Sequence, residues 1–302
     1  TTKLSSTPAS RNVCDPPPLS PVTPNIVVLD VALVFTANPE DYTNRGNIIT
    51  PLKDRIDAQI LTHYPGTLEE GQAITTQEAW TSRELPCTIH PLVQELVERV
   101  AMEARQSDFV DKGSGVSARM AISLLETVHS VAEMRAYRNG ELRGNARVTD
   151  VYQALTALTG KVELVYKGEQ EGITNVALHL MGRAIREAFN SRFVKGHKKG
   201  KDKKADFSAF QPVIDWFEGG NAVEIDPMNS EEQHLAALLR AEGLDPLVRD
   251  QAKPANDAEH LLMLEFFIEG MHQNFLLTRK LTDARIRYTD AVSYMMNEAN
   301  ET

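Results

Sequence analysis

Apolar positions follow two different rhythms along this chain, and the change falls near Pro65. From Ile26 to Ala37 the residues are almost all apolar and many are β-branched, and the run stops at Asn38-Pro39. A continuous run of that kind reads as a strand buried on both faces of a parallel sheet. A second short strand is expected at Ala58 to Thr62, and Thr50-Pro51 marks a helix start between them. There Thr50 is the N-cap and Pro51 the first helical residue.

Beyond Pro65 the spacing becomes helical. Thr67 to Trp80 opens with a Thr-x-x-Glu capping box at Thr67 and Glu70. Pro91 to Gln106 places Val93, Leu96, Val97, Val100 and Ala101 on one face, and Ser117 to Tyr137 does the same with Met120, Leu124, Val128 and Val131. Further helices are expected at 148–159, 173–193, 207–217, 231–241 and 259–277. Phe266, Phe267, Met271 and Phe275 stand at helical spacing and read as core. The fold class that follows is mainly α, a small α/β piece ahead of a large helical region. Two segments stand apart: residues 1–24, rich in Pro and Ser, are expected to be disordered, and the Lys-rich stretch 195–204 is expected to be a solvated loop.

Composition narrows the function classes. The chain has 302 residues with a formal net charge of −10, which argues against a broadly basic nucleic-acid coat. Neither a membrane-length apolar run nor a secretory signal is seen, so a reducing cytoplasm is the expected location. Cys14 and Cys87 are too few for a disulfide framework or a cysteine zinc site, and the histidines include no His-x3-His pair. No metal site is expected.

Four residues could carry chemistry. Asn38, at the tip of the first strand, could orient a water beside a γ-phosphate, or could simply begin a turn with Pro39. Arg55, in Lys53-Asp54-Arg55, could reach a neighbouring subunit's nucleotide as an arginine finger, or could pair with Asp54 or Asp57 on the surface. Arg45 is an alternative finger. Arg119, where Gly115-Val116-Ser117-Ala118 leads into a helix, could fold over bound phosphates, or could be a solvated arginine beside a Ser117 cap.

The wording of the chain itself resembles a family. Thr36-Ala37-Asn38-Pro39-Glu40-Asp41-Tyr42-Thr43-Asn44-Arg45-Gly46, then Thr50-Pro51-Leu52-Lys53-Asp54-Arg55 and Thr62-His63-Tyr64-Pro65, resemble the magnesium-chelatase subunit I-like AAA+ ATPases, which are related to MoxR. So do Gly113 to Arg119, Leu158 to Tyr166 and Glu265 to Gln273. The resemblance implies that Asn38 is the sensor-1 residue, Arg55 the arginine finger and Arg119 the sensor-2 arginine. Asn38 and Arg119 would make peripheral contacts to ATP. It also implies ATP and Mg2+ as cofactors of the full-length family, a ring that is typically a hexamer, and a von Willebrand factor A-domain protein as partner. On this reading 25–65 is the last piece of an AAA+ core with about two strands, 66–160 a helical lid and 161–302 a helical C-terminal region. No membrane or nucleic-acid partner is expected.

A phosphate-binding loop, Gly-x4-Gly-Lys-Ser/Thr, is absent from the sequence. Gly196-His197-Lys198-Lys199-Gly200-Lys201 has the wrong spacing, and Val31 follows Asp30 where a metal-binding strand would carry a second acid. The chain alone is therefore expected neither to bind nor to hydrolyse ATP. The expected explanation is a fragment or misjoined reading frame, with a natural product lacking the catalytic half as the alternative. The competing function is a non-enzymatic helical interaction module. Residues 26–65, two strands without the rest of their sheet, are expected to be poorly supported or prone to aggregate.

Overall fold

A computed structural model describes residues 34–36, 54–56, 58–112, 116–195, 205–282 and 284–291. The chain divides into two compact units, 1–59 and 60–302.

In the first unit the described residues hold no strand. Val34 and Phe35 are exposed, and 54–55 is a turn. Ala58 to Thr62, expected as a strand, is exposed chain without a strand partner, Ile60 and Leu61 included. The physical reason is pairing: an apolar segment becomes a parallel strand only when neighbouring strands satisfy its backbone, and none is supplied among the described residues. The rest of the first expected strand and the 50–53 helix start lie outside the described residues, as do the segments 1–24 and 196–204.

The second unit is mainly helical, with two small sheets among the described residues. Helix α1 (Leu68–Glu78) is capped by Thr67, whose hydroxyl accepts from Glu70 N at 3.2 Å. The Glu70 carboxylate reaches back one residue further than a standard capping box and accepts from Gly66 N at 2.9 Å. A two-residue strand β1 (Cys87–Thr88) precedes α2 (Pro91–Gln106), where Pro91 sits in the first turn and His90 Nδ1 accepts from Leu92 N. Helix α3 (Arg119–Asn139) ends at Gly140, whose φ of +69° is the left-handed cap that glycine takes without strain. Strand β2 (Gly144–Asn145) pairs with β1 in parallel.

The stretch expected as one helix over 148–159 is two, α4 (Val148–Gln153) and α5 (Leu155–Thr159), broken at Ala154. Helix α6 (Tyr166–Glu171) was not signalled by periodicity, being too short to show it. Helix α7 (Ile173–Phe193) packs against α2 on one side and α11 on the other. A 3-10 turn (Ser208–Phe210) leads into α8 (Gln211–Glu218), followed by strand β3 (Val223–Ile225), α9 (Glu231–Leu238), α10 (Leu244–Gln251) and α11 (Asp257–Gln273).

One hydrophobic core runs through this unit from Leu92 to Tyr288. Its densest part is aromatic. Phe189 meets Phe266 edge-on at 5.6 Å and Phe267 at 5.4 Å between ring centres, with Phe193 and Phe210 around them. Gly270 makes this approach possible, since a Cβ there would lie 2.2 Å from the Phe189 ring.

The last element differs from expectation. The helix expected to reach 277 stops at Gln273, and β4 (Leu277–Thr282) and β5 (Arg285–Asp290) form an antiparallel hairpin. Strand β3 pairs with β5, giving the order β3-β5-β4. Phe266, Phe267 and Met271 are fully buried, but Phe275 is 77% exposed at φ +61° in the connection after α11. A helical phase cannot be carried across a helix end, and Phe275 lies past it.

Candidate functional site

Asn38 and Arg45 lie outside the described residues. Arg55 is exposed in the turn of the first unit. Arg119 is the first residue of α3 in the second unit, and its surroundings form a defined frame.

That frame is built from the chain just before it. Val116 is buried, and it touches Val162 through an isolated antiparallel bridge. Its carbonyl accepts from the Tyr64 hydroxyl at 2.7 Å, and its N–H donates to the same hydroxyl oxygen at 3.0 Å. One phenol thus satisfies both backbone groups of the residue three places before Arg119. Ser117 then turns the chain: its carbonyl accepts from Met120 N at 2.9 Å, and its hydroxyl from Arg119 N at 3.3 Å. Met120, Leu124 and Val128 bury the inner face of α3. Arg119 is left exposed at the helix start, and no carboxylate lies within ion-pair reach of its guanidinium among the described residues.

Tyr64 is itself held. The Arg105 guanidinium lies 4.5 Å over its ring, and Arg105 reaches Glu98 at 3.5 Å. Glu98 accepts from the Thr75 hydroxyl at 3.1 Å, and burial raises its pKa. The chain of contacts Thr75–Glu98–Arg105–Tyr64–Val116 therefore ties α1 and α2 to the start of α3. Tyr64 stands in the stretch Thr62-His63-Tyr64-Pro65, whose resemblance to the family implies no role for it. A phenol answering a backbone pair 52 residues away leaves no local mark in the sequence.

A second constellation lies on α11, in the stretch Glu265 to Gly270. Glu265 is fully buried and accepts from Val148 N at 2.8 Å and Thr149 N at 3.2 Å, so it caps α4. His234 Nε2 sits 3.4 Å away, at the outer edge of hydrogen-bond range. Burial opposes ionisation of Glu265, but His234, the Thr149 contact and Arg147 outweigh it and lower its pKa to about 2. Beside it, Arg135 makes a bidentate pair with Asp150 and donates to Asn145 O at 2.6 Å. Burial works against the Arg135 charge, but Asp150 prevails and holds its pKa above the ordinary arginine value.

One turn along, Glu269 accepts from the Tyr288 hydroxyl and from the Tyr152 hydroxyl at 3.2 Å, with Arg279 Nε at 3.0 Å. Arg279 also lies 4.3 Å over the Tyr152 ring. These groups join α11 to α4 and to the hairpin. They are enclosed, and the Glu265 and Glu269 carboxylates are engaged by neighbours within the fold, which makes them a scaffold.

Two hollows among the described residues are partly open to solvent. About 470 Å³ opens at the outer face of the sheet between Glu224, Thr282, Arg285 and Arg287. About 180 Å³ lies beside Cys87, lined by Thr76, Thr81, Ile89, Gln94 and Leu125. Burial, reinforced by Asp150, pushes the Cys87 thiol up to about 12, which disfavours the thiolate at neutral pH. The sequence holds no phosphate-binding loop, and no group of three metal-ligating side chains occurs among the described residues. No helix among them is long and apolar enough to cross a membrane.

No protein-family model, curated protein or solved structure matches this chain.

Proposed function

We propose that this chain is the sensor-and-lid part of a chelatase-type AAA+ ring ATPase, one that works only with subunits carrying a phosphate-binding loop. The observation that carries the reading is the held, exposed Arg119 at the start of α3, on a helix whose other face is packed into the core. A guanidinium projected from a rigid helix start suits recognition of phosphate oxygens, because its planar fork meets them with little loss of freedom. The resemblance supplies the rest: Asn38 beside the γ-phosphate, Arg55 or Arg45 as finger, a hexameric ring, and a von Willebrand factor A-domain protein as the remodelled partner.

The test has two arms. ATP titrated into the purified chain alone gives no binding at micromolar concentrations. The chain mixed with a P-loop-bearing subunit I-type ATPase changes that enzyme's rate of hydrolysis. ATP bound by the chain alone, or an unchanged rate with the folded chain in excess, would sink the proposal.

A second reading, a non-enzymatic helical interaction module, draws on a different observation. The Glu265 and Glu269 carboxylates are engaged in scaffolding, and the hollows beside Cys87 and on the outer face of the sheet are partly open to solvent. A chain that stays folded by circular dichroism, yet is silent in the mixture, would favour this module.

A further inference from the structure

The hairpin at the end of the described chain has a face and an edge that neither reading above uses. Side chains alternate along its strands. Leu277, Arg279 and Leu281 of β4 share the core side with Ile286 and Tyr288 of β5, and Thr278, Lys280 and Thr282 share the outer side with Arg285, Arg287 and Thr289. Lys280 stands directly opposite Arg287 in the register, and Thr282 opposite Arg285.

Two cations as direct cross-strand neighbours destabilise a sheet. Only part of that cost is offset: Arg287 reaches Glu224 on β3 at 3.2 Å, while Lys280 and Arg285 have no carboxylate within ion-pair reach among the described residues. This face is basic in a chain whose formal net charge is −10.

Strand β4 is also the edge of its sheet, since the order is β3-β5-β4 and no described strand pairs with its far side. Leu281 points to the core side like Ile286, its register partner, yet Leu281 is 67% exposed and Ile286 only 2%. The edge therefore offers unpaired backbone, a cation on one face and an uncovered leucine on the other.

We infer that β4 is a docking edge for an extended acidic segment of a partner protein, which adds as a fourth strand with its residues alternating acidic and apolar. Its acidic side chains lie beside Lys280, with Arg285 one strand further across the same face, and its apolar ones cover Leu281. Main-chain hydrogen bonds hold the segment, and the alternation selects it. A second copy of this chain is a poor occupant, because pairing β4 with β4 would set one basic face beside another.

The probe is a fluorescent peptide of alternating glutamate and valine, about 10 residues long, titrated into the whole chain at low salt. The same glutamates and valines arranged in two blocks form the control peptide. The alternating peptide binds, the block peptide binds at least about tenfold more weakly, and added salt weakens both. Amide exchange slows over 277–282 and not over 223–225. The double variant Lys280→Glu, Arg285→Glu, checked for folding by circular dichroism, loses binding at least about tenfold, and Leu281→Thr loses it with the charges intact. Equal binding of the block peptide or of a short DNA duplex would overturn the inference, as would binding that leaves β4 exchange unchanged.

Discussion

The charges on α11 and the arginine that opens α3 are both fixed by hydrogen-bonded frames, but they face opposite ways. Glu265 and Glu269 point into the core, and every neighbour that meets them belongs to the same unit: backbone N–H groups of α4, His234, two phenols and Arg279. Arg119 points to solvent, and the bonds around it hold its backbone while leaving the guanidinium unengaged among the described residues. A buried charge of the first kind fixes which helix start meets which helix. An exposed charge of the second kind contributes little to folding and is available to another molecule. Both stretches belong to the wording that resembles the chelatase-type ATPases, so resemblance alone does not separate scaffold from site. Burial does.

The sharpest way to break this contrast is to remove the scaffold. Glu265→Ala strips the cap from Val148 and Thr149, leaves His234 buried without its carboxylate and removes one of the charges that offset buried Arg147. Breaking a buried charge constellation on one side costs about 3–5 kcal/mol. A urea melt of the variant should show that loss, and a loss below about 1 kcal/mol would mean that Glu265 is not the keystone described.

Acid should test the same residue without mutation. The folded pKa of Glu265 is about 2, against an ordinary 4.5, so it is depressed on folding. A depressed carboxylate contributes its full stability above the unfolded value and loses it as pH falls through the folded one. The window therefore runs from about pH 4.5 down to about pH 2. The shift corresponds to roughly 3 kcal/mol. Glu265→Gln should flatten this part of the stability curve, and an equally steep acid loss in that variant would assign it to other carboxylates.

Tyr64→Phe probes the frame of the other region. It removes the one hydroxyl that serves both the N–H and the carbonyl of buried Val116. The expected cost is about 1–2 kcal/mol, with faster amide exchange confined to the start of α3. Unchanged exchange there would mean that Val162 alone holds Val116 in place.

These experiments also separate what sequence pattern could reveal from what it could not. Helix α2 and helix α7 were legible to the residue, because each is long, amphipathic and packed along one face, and Pro91 announces the first. The cap at Thr67 was legible because its partner is three residues away. The hairpin was not: Arg285-Ile286-Arg287-Tyr288 of β5 alternates, but in β4, just after an apolar helix, an inward Arg279 paired with Glu269 breaks the period of two. The expected strand at 58–62 fails for the opposite reason, since its composition suits a sheet that the described chain does not supply. In the candidate site Arg119 could be singled out from its place at a helix start, but Tyr64 and the partners of Glu265 could not. Their bonds span 52 and 117 residues, and only the fold brings them together.

The smallest expected effect on stability carries the most weight for function. Arg119→Ala removes an exposed side chain with no ion-pair partner among the described residues, so the melt should move by no more than about 0.5 kcal/mol. In a mixture with a P-loop-bearing ring ATPase, however, the same substitution should abolish whatever change in hydrolysis the unaltered chain produces. Arg119→Lys should restore it only in part, because an ammonium keeps the charge but not the two-pronged geometry that phosphate oxygens accept. Tyr64→Phe should fall between them, weakening the effect by loosening the frame while leaving the guanidinium intact. If Arg119→Ala instead behaves like the unaltered chain in the mixture, the arginine is solvated surface, and the influence of this chain on a ring must come from another of its faces.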